Sequence, residues 1–206
     1  MDYDIVSRQT IIRLPSYLNY LKNLTNDRYP NISATIIANA LGLNDVQVRK
    51  DLSVVSSAGK PKVGYNREEL IKDIESFLGY DTHNRAVLVG AGNLGQALLS
   101  HDGFSKYGID IVAAFDKDAD KAGMMINGRE VRPIEELSSF CKRNRIRIGV
   151  LTVPEERAQE ACDCMLEAGI DAILNYAQVY LVVPAEVKVE TETVAYAISQ
   201  LINHIR

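Results

Sequence analysis

The clearest chemical pattern in the sequence is a set of three glycines at positions 90, 92 and 95, which follows an apolar run and precedes a segment of helical character. In such a turn the first glycine permits a tight bend, the second lets a pyrophosphate approach the backbone, and the third lets helix and strand pack closely. The free N–H groups of the helix N-terminus would hold the phosphates. Asp116, about 20 positions further on, would accept hydrogen bonds from ribose hydroxyls and repel a 2′-phosphate, so the pattern predicts a site for NAD(H). The residues assigned to it are Gly90, Ala91, Gly92, Asn93, Leu94, Gly95, Asp116 and Lys117.

Two further loops are expected at the same edge of the sheet. Thr152, Val153 and Pro154 end one apolar run, and Asn175 and Tyr176 end the next. Ligands of open α/β sheets bind at the carboxyl ends of the strands, so both loops are candidates to contact the nicotinamide half of the dinucleotide. Ordinary connections end strands in the same way, and this is the alternative interpretation of both loops.

A second group of polar and basic side chains lies nearer the N-terminus, in a helical region. Ser33 is a good N-cap for a short helix that ends at Gly42, and a further helix begins near Asp45. Two helices separated by a short turn around a glycine are typical of the helix-turn-helix, and the segment 59–65 has the pattern of a small hairpin, or wing. The alternative is a solvated helical domain with an ordinary tight turn. The side chains expected to meet DNA are Ser33, Gln47, Arg49, Lys50, Ser53, Lys60, Lys62 and Tyr65.

Alternating strands and helices after residue 84 would position the residues assigned to the NAD(H) site. Apolar runs and helical periodicity predict a mainly parallel α/β sheet of the Rossmann type. A hairpin is expected within 124–131, with Asn127-Gly128 at its turn. The expected strands are 86–89, 109–115, 146–153, 172–174 and 179–183, and the expected helices begin at residues 96, 134 and 155.

The last segment, residues 190–206, is predicted to be an amphipathic helix. Its apolar face needs a partner and could pack on its own domain or reach into a second subunit. We favour a second subunit, because helix-turn-helix proteins normally bind paired half-sites as dimers. The face consists of Val194, Ala197, Ile198, Leu201, Ile202 and Ile205.

Composition narrows the class of protein. The chain of 206 residues is 47% hydrophobic and 24% charged, as in ordinary globular domains, and no apolar run has the length of a membrane span. The formal net charge is −4, but residues 1–80 carry ten basic and nine acidic side chains, so the positive charge is local, as a small docking surface for DNA requires. The three cysteines are expected to be reduced thiols of a cytoplasmic protein, with no metal site.

Short motifs run in one order along nearly the whole chain. They are Arg13-Leu14-Pro15-x-Tyr17, QVRKDLS at 47–53, Val63-Gly64-Tyr65, the glycine turn 90–95, Phe115-Asp116, Leu151-Thr152-Val153-Pro154 and Ile173-Leu174-Asn175. Together they resemble the Rex family of redox-sensing transcriptional repressors. The resemblance implies an α/β protein with a winged helix-turn-helix domain (1–80), a Rossmann NAD(H)-binding domain (84–188) and a C-terminal helix (189–206) that is exchanged between the subunits of a homodimer. It also implies a repressor that binds a palindromic operator in double-stranded DNA and is released by NADH.

The resemblance also assigns roles to single residues and exposes departures. The sequence has Asn93 where an Arg is sometimes found, His101 where a Tyr is common, and Thr193 in place of an Asp. These positions belong to an intersubunit switch in several members, and His101 is included in the nucleotide site as a replacement hydrogen-bonding group. The residues to which the resemblance assigns DNA contacts are Arg13, Arg49, Lys50 and Lys62.

Two other functions stay open at the level of sequence. The first is a small NAD-dependent oxidoreductase, although residues 84–188 leave little room for a substrate domain and contain no Tyr-x-x-x-Lys pair. The second is a helix-turn-helix repressor that has lost its redox response through the departures just named. We expect a repressor and not an enzyme.

Overall fold

The computed structural model describes residues 6–24, 29–101, 103–192 and 194–205. The chain forms two compact units, Met1–Thr82 and His83–Arg206. None of the helices described has the length and apolar character needed to cross a membrane. Within the described residues, no group of His, Cys, Asp and Glu side chains could hold a metal ion.

The first unit consists of helices and a small two-stranded sheet. Ser33 accepts a hydrogen bond from the Ile36 N–H, and Asn44 accepts from the backbone at the start of the next helix, so both helices have a side-chain N-cap. Gly42 ends the first of them with a left-handed φ of 65°. The predicted helix-turn-helix is confirmed. The elements are α1 (Arg8–Asn23), β1 (Asn31–Ile32), α2 (Ala34–Leu41), α3 (Asp45–Val55), β2 (Tyr65–Asn66) and α4 (Arg67–Phe77).

An apolar core positions α3 against the rest of this unit. Val48 and Leu52 of α3 are fully buried, and the small side chain of Ala38 lets α2 cross them closely. Tyr17 of α1 and Ile74 of α4 complete the same core. Because these contacts fix one side of α3, the opposite side of the helix is left to solvent.

The wing is shorter than the sequence predicts. Lys60 and Gly64 form a single antiparallel bridge around a tight turn, and the chain then enters β2, which pairs with β1 in the register Ile32 to Tyr65. Gly64 has a φ of +87°, and a Cβ on it would overlap the carbonyl oxygen of Ile32, so only glycine fits this crossing. At the tip, Lys62 adopts a left-handed φ of 66°.

The second unit is an open sheet with helices between its strands. The strand order is β5-β6-β4-β3-β7-β8-β9, and the pairs are parallel except β5–β6. This is the predicted Rossmann-type sheet, and the predicted Asn127-Gly128 turn joins β5 to β6 with positive φ at both residues. The elements are β3 (Asn84–Val89), α5 (Asn93–Ser100), β4 (Ile109–Asp116), β5 (Met125–Ile126), β6 (Arg129–Pro133), α6 (Leu137–Asn144), β7 (Ile148–Leu151), α7 (Ala158–Glu167), β8 (Ala172–Asn175), β9 (Lys188–Thr191) and α8 (Val194–His204).

Several boundaries differ from the sequence predictions. Helix α5 begins at Asn93, three residues earlier than expected. Residues 179–183 are not a strand, because the side-chain amides of Asn175 and Gln159 bind the backbone of Val179 and Val182 and hold this segment as a loop.

The edge of the sheet is formed instead by β9, which covers part of the segment predicted to be the last helix. That helix begins at Val194, and Ile198, Leu201, Ile202 and Ile205 expose much of their surface. Thr193, one of the departures named above, lies outside the described residues.

The cysteines lie in the core of the second unit or at its margin. Cys141 of α6 and Cys162 of α7 are buried, and Cys164 is half-buried. Burial raises the pKa of both buried thiols to about 11. The three side chains are free thiols.

Candidate functional site

A cleft of about 890 Å³ opens in the second unit where β3 and β7 end. Strand order reverses at this point, since β4 lies on one side of β3 and β7 on the other. Crevices at such switch points are where open α/β sheets bind ligands. The cleft brings together the predicted residues Gly90, Gly92, Asp116, Lys117, Thr152, Val153 and Pro154.

The turn between β3 and α5 is built for close approach to its backbone. A Cβ on Gly95 would overlap the carbonyl oxygen of Gly90, so the helix can pack this tightly on the strand only with glycine there. A Cβ on Gly92 would meet nothing within 4 Å, and the N-cap position of α5 therefore faces open space. The Thr152 hydroxyl donates to the Gly90 carbonyl oxygen at 2.7 Å and ties the turn to the next strand.

Asp116 ends β4 and holds the glycine turn from the other side. Its Oδ2 accepts from the Ala91 N–H at 2.7 Å and from Lys121 Nζ at 3.0 Å, and its Oδ1 accepts from the Asp118 N–H at 2.8 Å. Burial alone would raise the pKa of Asp116, but these hydrogen bonds and the charge of Lys121 bring it below its ordinary value. A carboxylate has about four lone-pair sites, so Oδ1 keeps acceptor capacity for a hydroxyl.

A charged pair stands at the rim of the cleft. Lys117 Nζ and Glu160 Oε1 are 2.8 Å apart and join the end of β4 to α7. Both side chains are exposed, so the pair contributes little to stability. Its hydrogen bond and charge lower the pKa of Glu160.

The structure does not bring every predicted nucleotide residue into the cleft. Asn93 and Leu94 are exposed in the first turn of α5, and Ala91 and Gly95 lie beneath the turn. His101 is the C-cap of α5, about 12 Å along the helix from the glycine turn.

Two residues predicted to reach the nicotinamide half are engaged elsewhere. Asn175 is fully buried, and its amide binds Val179 O, Thr191 Oγ1 and the Ala177 N–H, so it braces the loop after β8. Tyr176 is half-buried and packs against the core beside β3. In this structure Asn175 therefore braces the loop after β8 and Tyr176 packs on the core, and their contact with the nicotinamide half stays a prediction.

In the first unit, the outer side of α3 is polar and basic. Arg49, Lys50 and Ser53 are exposed, and Arg49 Nη2 lies 3.2 Å from Asp45 Oδ2 one turn earlier. Lys60 and Lys62 are exposed on the wing. These are the residue types that read bases and hold phosphates.

Gln47 is exposed on α3 and Arg13 is half-buried on α1, and both bind Asp51 of α3. Arg13 Nε and Nη2 lie 2.7 and 2.9 Å from the two carboxylate oxygens, and Gln47 Nε2 lies 3.2 Å from Oδ1. The hydroxyls of Thr10 and Tyr17 donate to the same carboxylate at 2.9 and 2.8 Å. Burial alone would raise the pKa of Asp51, but the donors around it lower the pKa below its ordinary value.

Tyr65 and Ser33 have structural roles in the first unit, and their contact with DNA stays a prediction. Tyr65 is only 8% exposed, because its pairing with Ile32 turns its ring into the core, and burial raises its pKa. Ser33 is half-buried, and its hydroxyl oxygen is the acceptor that caps α2.

Comparisons with known proteins match both units. A family model described as a CoA binding domain matches residues 81–179, and one described as the N-terminus of a putative DNA-binding protein matches residues 5–53. The chain is 42% identical over 192 residues to the redox-sensing transcriptional repressor Rex of Treponema denticola, covering 93% of this chain and 91% of that one. The chain belongs to the Rex family.

Other Rex proteins are similar over comparable lengths. The Rex repressor of Clostridium botulinum strain Alaska E43 is 40% identical over 96% of this chain and 94% of its own. The Rex-family repressor RSP, crystallised with β-NAD⁺ and operator DNA, has a TM-score of 0.90 and 34% identity over 98% of this chain and 93% of its own. Its complex with β-NADH has a TM-score of 0.88 and 33% identity over 98% of this chain and 94% of its own.

Two residues of this Rex chain that shape its candidate sites were missed by sequence reasoning. Lys121 touches Asp116 in the cleft, and a Lys five positions after an acidic residue in a short helical turn carries no distinctive signal. Asp51 lies within QVRKDLS, where its acidic charge among basic residues was the available clue.

Proposed function

We propose that this chain is a transcriptional repressor that binds a palindromic operator as a homodimer and leaves it when NADH binds. The observation that carries the proposal is the similarity to RSP over 98% of the chain, since RSP has been crystallised with β-NAD⁺ and operator DNA and with β-NADH. Membership of the Rex family agrees with it.

The residues divide between two tasks. The winged-helix domain, residues 1–80, places Arg49, Lys50 and Ser53 of α3 in the major groove, and Lys60 and Lys62 of the wing against the backbone. The Rossmann domain, residues 84–188, holds the pyrophosphate on the first turn of α5 and a ribose on Asp116. The open space above Gly92 and the acceptor capacity of Asp116 fit such a ligand.

The segment 189–206 joins two copies of the chain by exchanging α8 between them. The exposed apolar side chains of α8 support this role, because a face of this kind needs a partner. A dimer carries two copies of α3, which matches the two half-sites of a palindrome.

The dinucleotide acts as a ligand and not as a reactant, so the chain is not an enzyme. NAD⁺ and NADH differ in the charge and planarity of the nicotinamide ring, and each favours the subunit arrangement it binds better. A coupling of about 1–3 kcal/mol would change operator affinity by about 5- to 150-fold. Free thiols and a pyridine-nucleotide ligand agree with action in the cytoplasm.

The test is operator binding by fluorescence anisotropy, with NAD⁺ and NADH titrated separately at fixed salt, because phosphate contacts make affinity steeply salt-dependent. We expect NADH to release the DNA and NAD⁺ to leave it bound. Binding that neither nucleotide changes would mean that the departures at Asn93, His101 and Thr193 have uncoupled the sensor. Consumption of NADH with aldehydes or keto acids would instead indicate an oxidoreductase.

A further inference from the structure

The Asp51 carboxylate is a shared anchor for α1 and α3. It is 2% exposed and accepts hydrogen bonds from Thr10, Arg13 and Tyr17, which lie at positions i, i+3 and i+7 on one stripe of α1. Gln47, one turn earlier on α3, binds the same group. Because both oxygens receive donors from α1, the carboxylate fixes the distance between the two helices and also the rotation of α3.

Rotation of α3 decides where its outer side chains point. At 100° per residue, Arg49 and Ser53 lie about 160° from Asp51 around the helix axis, one on each side. A guanidinium about 6 Å from that axis moves by about 2 Å when the helix turns by about 20°, which is more than a hydrogen bond to a base edge tolerates. The hydrogen bonds of Asp51 on the buried side of α3 therefore determine where Arg49 and Ser53 point on the exposed side.

We propose that Asp51 positions the DNA-reading helix, and that Arg13 serves operator recognition by holding Asp51 rather than by touching DNA. This inference rests on the function proposed above. Arg13 is a positioning residue because both of its bonded nitrogens face Asp51 and only 21% of its side chain is exposed. Tyr17 is fully buried and can act only in this way.

Salt dependence separates a positioning residue from a phosphate contact. The slope of log affinity against log salt is negative, and each phosphate contact that is lost makes it shallower by about 0.9. A misaimed helix keeps its phosphate contacts but loses preference for the operator over other DNA, by about tenfold for an effect the size of one mismatched base pair.

The experiment measures binding of the full chain to an operator duplex and to a scrambled duplex of equal length over a series of salt concentrations. The variants are Arg13→Met, Asp51→Asn and the two together, and Lys60→Met is the matched control for loss of an exposed cation that lies against the backbone. We expect Lys60→Met to make the slope shallower by about 0.9 on both duplexes. Arg13→Met and Asp51→Asn keep the wild-type slope and lower the operator-to-scrambled ratio by about tenfold. The double variant loses no more than the worse single one, because both changes break one pair.

The inference is overturned if Arg13→Met makes the slope shallower as Lys60→Met does, or if its loss of operator preference adds to that of Asp51→Asn. Tyr17→Phe is a milder variant for the case in which the other two misfold, because it removes one hydrogen-bond donor to Asp51 and leaves the Arg13–Asp51 ion pair intact. A folded Tyr17→Phe variant with a reduced operator-to-scrambled ratio supports the inference, and a wild-type ratio contradicts it. If the wild-type chain itself binds both duplexes equally, the proposed function fails before any variant is compared.

Discussion

Replacing Gly92 by Ala should separate nucleotide binding from folding. The residue has a φ of −77° and a ψ of −169°, which alanine adopts, and its added Cβ would meet nothing within 4 Å. An alanine at an N-cap costs about 0.5–1 kcal/mol relative to glycine. The smaller conformational entropy of the unfolded chain returns about 0.4–1 kcal/mol. The free energy of unfolding should therefore change by less than about 1 kcal/mol.

The same substitution should weaken NADH binding much more than it changes the free energy of unfolding. The methyl group would extend about 1.5 Å into the space that phosphate oxygens must enter to come within about 2.9 Å of the N–H groups of α5. Loss of one or two charge-assisted hydrogen bonds, at about 1.5–3 kcal/mol each, corresponds to about 3 kcal/mol, or about 100-fold in the dissociation constant for NADH. Operator binding should persist, and about 100-fold more NADH should be needed to release the DNA.

The assay is titration calorimetry with NADH, accompanied by thermal unfolding and operator anisotropy. Gly95→Ala is the contrasting variant, because its Cβ would overlap the Gly90 carbonyl oxygen and should destabilise the second unit itself. Wild-type NADH affinity in the Gly92→Ala variant would refute the placement of the phosphates. A large loss of stability in that variant would refute the open space above Gly92.

Three further changes have defined outcomes. Lys62→Gly should relieve about 1 kcal/mol of left-handed strain and raise the melting temperature. It should also make the salt slope of DNA binding shallower by about 0.9, and an unchanged slope would mean that Lys62 does not contact DNA. The folded pKa of Asp116 lies below its unfolded value near 4, so its contribution to stability is present above about pH 4 and lost as pH falls through the folded pKa. Urea titrations of Asp116→Asn should therefore show a smaller decrease in the free energy of unfolding in acid than the wild type shows. A decrease as large as that of the wild type would argue against this. Leu201→Glu should shift sedimentation from dimer to monomer, and a persistent dimer would mean that α8 does not join the subunits.

Local rules allowed much of the fold to be predicted. Ser33 and Gly42 bound α2 because capping and left-handed φ depend on neighbours in the chain. The glycine turn before α5 and the Asn127-Gly128 turn followed from the same kind of rule. Local patterns place these features because the partners they need are a few residues away.

Long-range contacts explain what could not be predicted. Residues 179–183 have the apolar content of a strand, but Gln159, 23 positions before Val182, binds both backbone groups of that residue. Arg13 has the charge of a DNA contact, and its partner Asp51 is 38 positions away. Neither partner can be identified from residue type and spacing alone.

The buried thiols of Cys141 and Cys162 bear on which chemical signals reach this protein. A pKa of about 11 keeps both thiols protonated near pH 7, whereas the thiolate is the nucleophile that attacks peroxides and disulfides. These two core thiols are therefore poor targets for oxidants that modify sulfur directly. We expect peroxide to leave the response to NADH unchanged as far as Cys141 and Cys162 are concerned.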